Sequence, residues 1–184
     1  QFYIFREYEE KNFKKLIKVI SDENAHHFID VGSCWGIYSL RLAKRFDKLK
    51  IKAFEPIISN VKRIKNSINK NKISNIEIYH TALGDSNGTI QLGSNNDWSP
   101  NYKINEENIA VIENSTIKIL DELLSLDSET IVMKIDVEGF EYEVLNGAKH
   151  TLLNNNCFLQ IEKKYENFKK IDKLLKELGY RNED

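Results

Sequence analysis

Phe28-Ile29-Asp30-Val31-Gly32-Ser33-Cys34-Trp35-Gly36 is the stretch whose reading decides the fold. Its first half is a short apolar strand that ends on an acid. Its second half is a turn with glycines four apart. The run Ile37-Tyr38-Ser39-Leu40-Arg41-Leu42-Ala43-Lys44-Arg45-Phe46 follows and has helical character. A strand that passes into a helix through a glycine turn is the opening unit of an open α/β sheet. Ligands of such sheets sit at the carboxyl ends of the strands, where this turn lies. Glycine permits positive φ and a close backbone approach to a ligand.

The pattern D-x-G-x-x-x-G lacks the Lys-Ser/Thr pair of a P-loop, which argues against a nucleoside triphosphate. It also lacks the third glycine of the dinucleotide fingerprint, and Trp35 fills the turn. One strand–helix unit later comes Ala53-Phe54-Glu55-Pro56. An acid that closes a second strand can accept hydrogen bonds from ribose hydroxyls. Read singly, Asp30 is equally a helix cap and Glu55 a surface acid before a proline turn. The pair in this order points to S-adenosylmethionine, with Glu55 on the ribose. Asp30 then favours the cationic methionine end, directly or by ordering the loop.

Composition narrows the class. The 184 residues suit one domain with a sizeable core. With 41% hydrophobic and 30% charged residues the balance is that of an ordinary globular protein. A net charge of −1 does not call for a polyanion, so nucleic acid is not the expected partner. Lysines spread over helical runs read as solvated faces. Cys34 and Cys157 lie far apart and in no metal-ligand spacing, so neither a disulfide scaffold nor a metal is assigned. A reducing, cytoplasmic setting is the expectation. No apolar run reaches the length of a membrane span.

The remaining chain alternates helix and strand. Arg6–Ile20 reads as an amphipathic helix carrying Phe13, Leu16, Ile17 and Ile20. It belongs to an amino-terminal helical segment, residues 1–25, that packs on a domain spanning 26–184. His26 and His27 read as surface residues before the first strand. Strands are expected at Ile51–Phe54, Ile76–His80, Thr130–Val137 and Cys157–Glu162. Helices are expected at Ile57–Asn69, Phe140–Leu153 and Asn167–Leu178. Pro56 forces Glu55 to be extended and suits a first helical turn. Thr81–Asp85 reads as a turn, Thr89–Leu92 as a short strand, and Ser115–Leu124 as a strand running into a helix. The polar stretch Gly93–Asn108, with Trp98, is long enough to act as a binding loop. Acceptor selectivity is expected in residues 93–114 and in the amino-terminal helix. The fold class is α/β: a mostly parallel twisted sheet, helices on both faces, right-handed crossovers. Few residues follow the last helix, so the expectation is either a sheet shortened at its carboxyl end or a chain cut there.

A second stretch carries the chemistry: Met133-Lys134-Ile135-Asp136-Val137-Glu138-Gly139-Phe140-Glu141. Strand alternation puts Lys134, Asp136 and Glu138 on one side, Ile135 and Val137 on the other. Buried polar residues are costly unless paired. Neighbouring carboxylates can raise one pKa and create a general base, or hold a divalent cation. Lys134 with one acid can equally be a structural pair, with Glu138 capping the next helix. Glu162 ends the adjacent strand and, with Trp98, is a substrate-binding candidate. His80 is a further base candidate.

These blocks together resemble the FkbM-type S-adenosylmethionine-dependent methyltransferases. The matching residues are Asp30-Val31-Gly32 to Gly36, Phe54-Glu55-Pro56, Ala82-Leu83-Gly84-Asp85 and Leu120-Asp121-Glu122-Leu123-Leu124. Above all, Lys134-Ile135-Asp136-Val137-Glu138-Gly139-Phe140-Glu141 continues into Val144-Leu145-Asn146-Gly147-Ala148. The resemblance spans about residues 28–180. It implies a Rossmann-like class I methyltransferase fold that methylates hydroxyl oxygens of sugars or natural products. It implies that Asp30, Gly32, Ser33 and Gly36 hold the methionine part and that Glu55, with Pro56, holds the ribose. Ala82, Leu83 and Asp85 would surround the adenine, and Asp136 would lie near the transferred methyl. The expected function is therefore O-methylation of a glycan or small hydroxylated molecule, with Asp136, Glu138 and His80 as catalytic candidates. The alternatives are an RNA ribose 2′-O-methyltransferase, a nicotinamide-dependent oxidoreductase and a non-catalytic S-adenosylmethionine-binding module.

Overall fold

The computed structural model describes residues 2–93, 103–104, 111–162 and 167–182, with side chains from residue 10 onward and, after residue 93, from residue 113 onward. The chain opens with α1 (Phe2–Asp22), followed by β1 (His27–Val31), α2 (Ile37–Arg45), β2 (Lys50–Phe54), α3 (Ile58–Asn71) and β3 (Ile76–Tyr79). Next come β4 (Ala82–Gly84), β5 (Gly88–Gly93), β6 (Lys103–Ile104), β7 (Val111–Ile119) and α4 (Leu120–Leu123). The last elements are β8 (Thr130–Ile135), α5 (Glu141–Asn146), α6 (Lys149–Asn154), β9 (Asn156–Ile161) and α7 (Phe168–Glu177).

The main sheet has the order β3-β2-β1-β8-β9, and every neighbouring pair is parallel. The direction of the order reverses at β1, so β1 and β8 flank the switch point where open α/β sheets bind ligands. β9 is the outer strand on that side among the described residues.

Burial on both faces leaves β1 with all five residues inside, yet period-two alternation still sorts its side chains. Phe28, Ile51 and Val132 meet Phe13, Leu16, Ile20, Tyr38 and Leu42 of α1 and α2. Ile29, Val31, Met133 and Ile135 meet Val144, Leu145, Leu152, Ile171 and Leu174 of the carboxyl-terminal helices. The register pairs Asp30 with Lys134, both on the α2 side of the sheet. His27, expected at the surface, is only 3% exposed, because the first residue of a central parallel strand is covered from both faces. His26, exposed, pairs with Glu129.

Two expectations fail for tertiary reasons. Ala82–Gly84, read as a turn, is β4 of a second sheet with the order β4-β7-β5-β6. There β4 runs parallel to β7, and β5 runs antiparallel to it. The helix expected over Phe140–Leu153 is broken into α5 and α6. A Cβ on Gly147 would lie 2.0 Å from the Gly84 carbonyl oxygen, so the second sheet presses into the helical run at that point. No helix among the described residues is long and apolar enough to cross a membrane.

Candidate functional site

The glycine turn is held by backbone bonds. Gly32 N and Ser33 N both donate to Phe54 O, at 3.1 and 3.0 Å, and Gly36 N donates to Ser33 O at 2.7 Å. Cys34 N donates to Glu55 Oε2 at 2.7 Å. The turn alternates left-handed residues, Gly32, Cys34 and Gly36, with φ of 75°, 51° and 70°. The glycines are required here by protein rather than by ligand contacts. A Cβ on Gly32 would sit 2.0 Å from Asp136 O, and one on Gly36 would meet Ile64 at 3.0 Å.

Glu55 is not a surface acid; it is 4% exposed. Besides Cys34 N, it accepts from Ile57 N at 2.8 Å and Asn60 Nδ2 at 3.3 Å, so it ties the turn to α3. Burial outweighs these donors and pushes its carboxyl up to about 7. Oε2 carries one of the three bonds, which leaves it an acceptor position for a ligand hydroxyl. Asp30 is buried beside Lys134, and its Oδ2 accepts from Ser39 Oγ of α2 at 2.6 Å. Burial raises its pKa against the pull of Lys134. Through Oδ2, Asp30 thus ties β1 to α2.

The facing wall is built by the loop after β8. That strand ends at Ile135, and Glu138 takes a left-handed conformation with φ of 58°, so strand alternation does not place it. The turn itself brings Asp136, Glu138 and Glu162 together. One carboxylate oxygen of each lies within 4.8 Å of the other two, close enough to share a bound cation. Lys134 Nζ donates to Asp136 Oδ2 at 2.9 Å and sits 5.1 Å from the Tyr38 ring centroid. Burial and the Asp136 carboxylate push Glu162 up to about 7. Glu141, which the sequence suggested only as part of a motif, is fully buried. Its Oε1 accepts from Val137 N at 3.2 Å and Gly139 N at 3.0 Å. The signal was present in the spacing: an acid three residues beyond Glu138, at the start of a helix, has the reach of a loop cap. Because Gly32 touches the Asp136 carbonyl, the two walls are in direct contact.

Other candidates fall elsewhere. His80, exposed at the end of β3, donates from Nε2 to Pro56 O at 3.0 Å. Three strand spacings separate β3 from β8, about 14 Å, so His80 is not brought to the carboxylates. Ala82 and Leu83 are buried in the core, packed with Ile117 and Val144 respectively, and Asp85 is exposed beyond β4. Trp98 lies outside the described residues.

The Methyltransferase FkbM domain matches residues 30–182. The chain belongs to the FkbM methyltransferase family. S-adenosylmethionine is the cofactor that goes with this membership. Among solved structures, a precorrin-6y C5,15-methyltransferase from Geobacter metallireducens GS-15 is similar over 85% of this chain, at 12% identity and a TM-score of 0.53. This chain covers 64% of that protein, less than two thirds of its length. The methyltransferase domain of bacterial CtHen1 is similar over 94% of this chain and 86% of its own, at 11% identity and a TM-score of 0.55. At these identities the likeness establishes the class I methyltransferase fold. No curated protein matches the chain.

The residues present fit the cofactor of the FkbM family. Among the described residues, the buried Asp30 Oδ1 and Ser33 Oγ have no hydrogen-bond partner, so each could hydrogen-bond the cofactor. A phosphate-binding turn keeps its N–H groups free for the anion. Here Gly32, Ser33, Cys34 and Gly36 have spent theirs on the protein. That arrangement suits a nucleoside without phosphates and counts against the nicotinamide alternative.

Proposed function

We propose that this FkbM-family chain methylates a hydroxyl oxygen of a sugar, a glycan or a small hydroxylated natural product. The supporting observation is the convergence of Asp136, Glu138 and Glu162 on a wall that touches the glycine turn. When bound, S-adenosylmethionine supplies a methyl already activated on sulfur. The protein must then align the acceptor, a task worth on the order of 7–11 kcal/mol in favourable cases, and accept its proton. Asp136, held by Lys134, orients the hydroxyl, and the carboxylate group takes the proton as the oxygen attacks. Glu55, Asp30 and Ser33 hold the donor. Residues 1–25 form an amino-terminal segment on the 26–184 domain, and residues 93–114 with α1 determine acceptor choice. Two unpaired cysteines, Cys34 and Cys157, fit a reducing, cytoplasmic setting.

The test is transfer of labelled methyl to a panel of glycans, small hydroxylated metabolites, amines and RNA, with and without chelator. Label on a glycan or small-molecule oxygen is the expected result. Label confined to RNA or to nitrogen overturns the reading.

A further inference from the structure

We infer that Glu141 and Asn167 are positioning residues: they clamp the Asp136–Phe140 loop in the one backbone shape that presents Asp136 and Glu138 together. Three observations carry this. Glu138 holds φ of 58° and Gly139 holds φ of 110°. Side-chain residues adopt such backbone only when their surroundings enforce it. The enforcing bonds come from two elements behind the loop. Glu141 Oε1 accepts from Val137 N and Gly139 N, the amides on either side of Glu138. Asn167 Nδ2, at the start of α7, donates to Gly139 O at 2.6 Å. The loop is thus gripped by both its N–H and C=O groups, from α5 on one side and α7 on the other.

The placement of Glu141 argues for purpose. It is fully buried, and its Oε2 has no hydrogen-bond partner among the described residues. A buried carboxylate oxygen without a partner is costly, and the bonds made by the other oxygen offset that cost. It satisfies two loop amides with a single atom. An alanine would leave both unpaired and release the left-handed turn. A glutamine would keep the acceptor in place and replace only the unpartnered oxygen.

The inference rests on the proposed role of the carboxylates for its kinetic arm and stands independently in its structural arm. The structural arm is amide hydrogen exchange at Val137 and Gly139 in the full chain, which needs no acceptor. Glu141→Ala should raise exchange at both amides at least tenfold, while Glu141→Gln leaves them within about threefold of the parent. Asn167→Ala, which removes only the carbonyl contact, should give an intermediate rise and guards against misfolding of the Glu141 variant. The kinetic arm is methyl transfer to the best acceptor of the panel. Glu141→Ala should lower kcat ten- to a hundredfold with donor affinity by calorimetry unchanged within twofold, and Glu141→Gln should restore it. In a Glu138→Gln background the same Glu141→Ala change should cost less than threefold, because the clamp acts through the loop it holds. Amides that stay protected in both Glu141→Ala and Asn167→Ala overturn the clamp. So do exposed amides with unchanged kcat, or a loss of donor affinity equal to the loss of kcat. If the parent transfers methyl to no hydroxyl, the proposed function fails, and the exchange data alone decide the clamp.

Discussion

The two walls of the crevice are built on opposite principles. The glycine-turn wall spends its backbone amides internally: four of them and the Glu55 carboxylate are bonded to one another or to neighbouring backbone. The β8 wall keeps its polar groups crowded: three carboxylates share one small space beside Lys134. The first is therefore a preformed seat whose shape barely depends on the ligand. The second stores electrostatic tension that uptake of a proton would relieve. Substitutions on the two walls should accordingly separate, one set acting on stability and donor binding, the other on turnover.

The largest separation is expected from Asp136→Asn. Turnover should fall by about 10²–10⁴-fold, the range for a lost acid–base group, while donor affinity by calorimetry stays within threefold. An equal fall in both would merge the walls into one unit. Gly32→Ala should act on the other side of the comparison. Its Cβ meets backbone at 2.0 Å, which cannot yield as a side-chain tip can. A loss of about 3–5 kcal/mol in urea unfolding is expected from clash and positive φ together. Gly36→Ala, which meets the movable Ile64, should cost about 1–2 kcal/mol.

A smaller effect comes from pH. The Glu55 carboxyl is raised to about 7, so the folded chain holds that proton more tightly than the unfolded chain does. Its contribution to stability is full below the unfolded value near 4.5 and is lost as pH rises through about 7. The span is on the order of 3 kcal/mol. Urea titrations across this window should show the slope, and Glu55→Gln should flatten it. The smallest expected effect is on the rate profile. Glu162, also raised to about 7, should give kcat a rising limb near neutrality that Glu162→Gln removes, with a change of less than tenfold at pH 8. A profile unchanged in that variant would exclude Glu162 from the proton's route.

Local pattern made most of the main sheet legible. The five parallel strands and the helices after β1, β2 and β9 follow from short apolar runs and 3.6-residue periodicity. The glycine turn and the Lys134–Glu141 block were readable because their residue types are unusual for a buried strand end. What escaped depended on partners distant in sequence. β4 pairs with β7 some 35 residues away, so Ala82–Gly84 carried no local strand signal. The break at Gly147 exists because the Gly84 carbonyl lies against it. Strand alternation put Glu138 on the correct wall, but the left-handed turn, not the strand, holds it there. His80 looked like a base because a sequence gives no strand order, and strand order sets it about three spacings away.

The sequence by itself determined the open α/β sheet, the glycine turn and the identity of the acids, because each is written in neighbouring residues. Tertiary structure decided which of those acids meet. Three carboxylates converge, Glu55 is locked to the turn and His80 is set apart, because sheet order and loop backbone conformation arise from contacts between residues far apart in the chain.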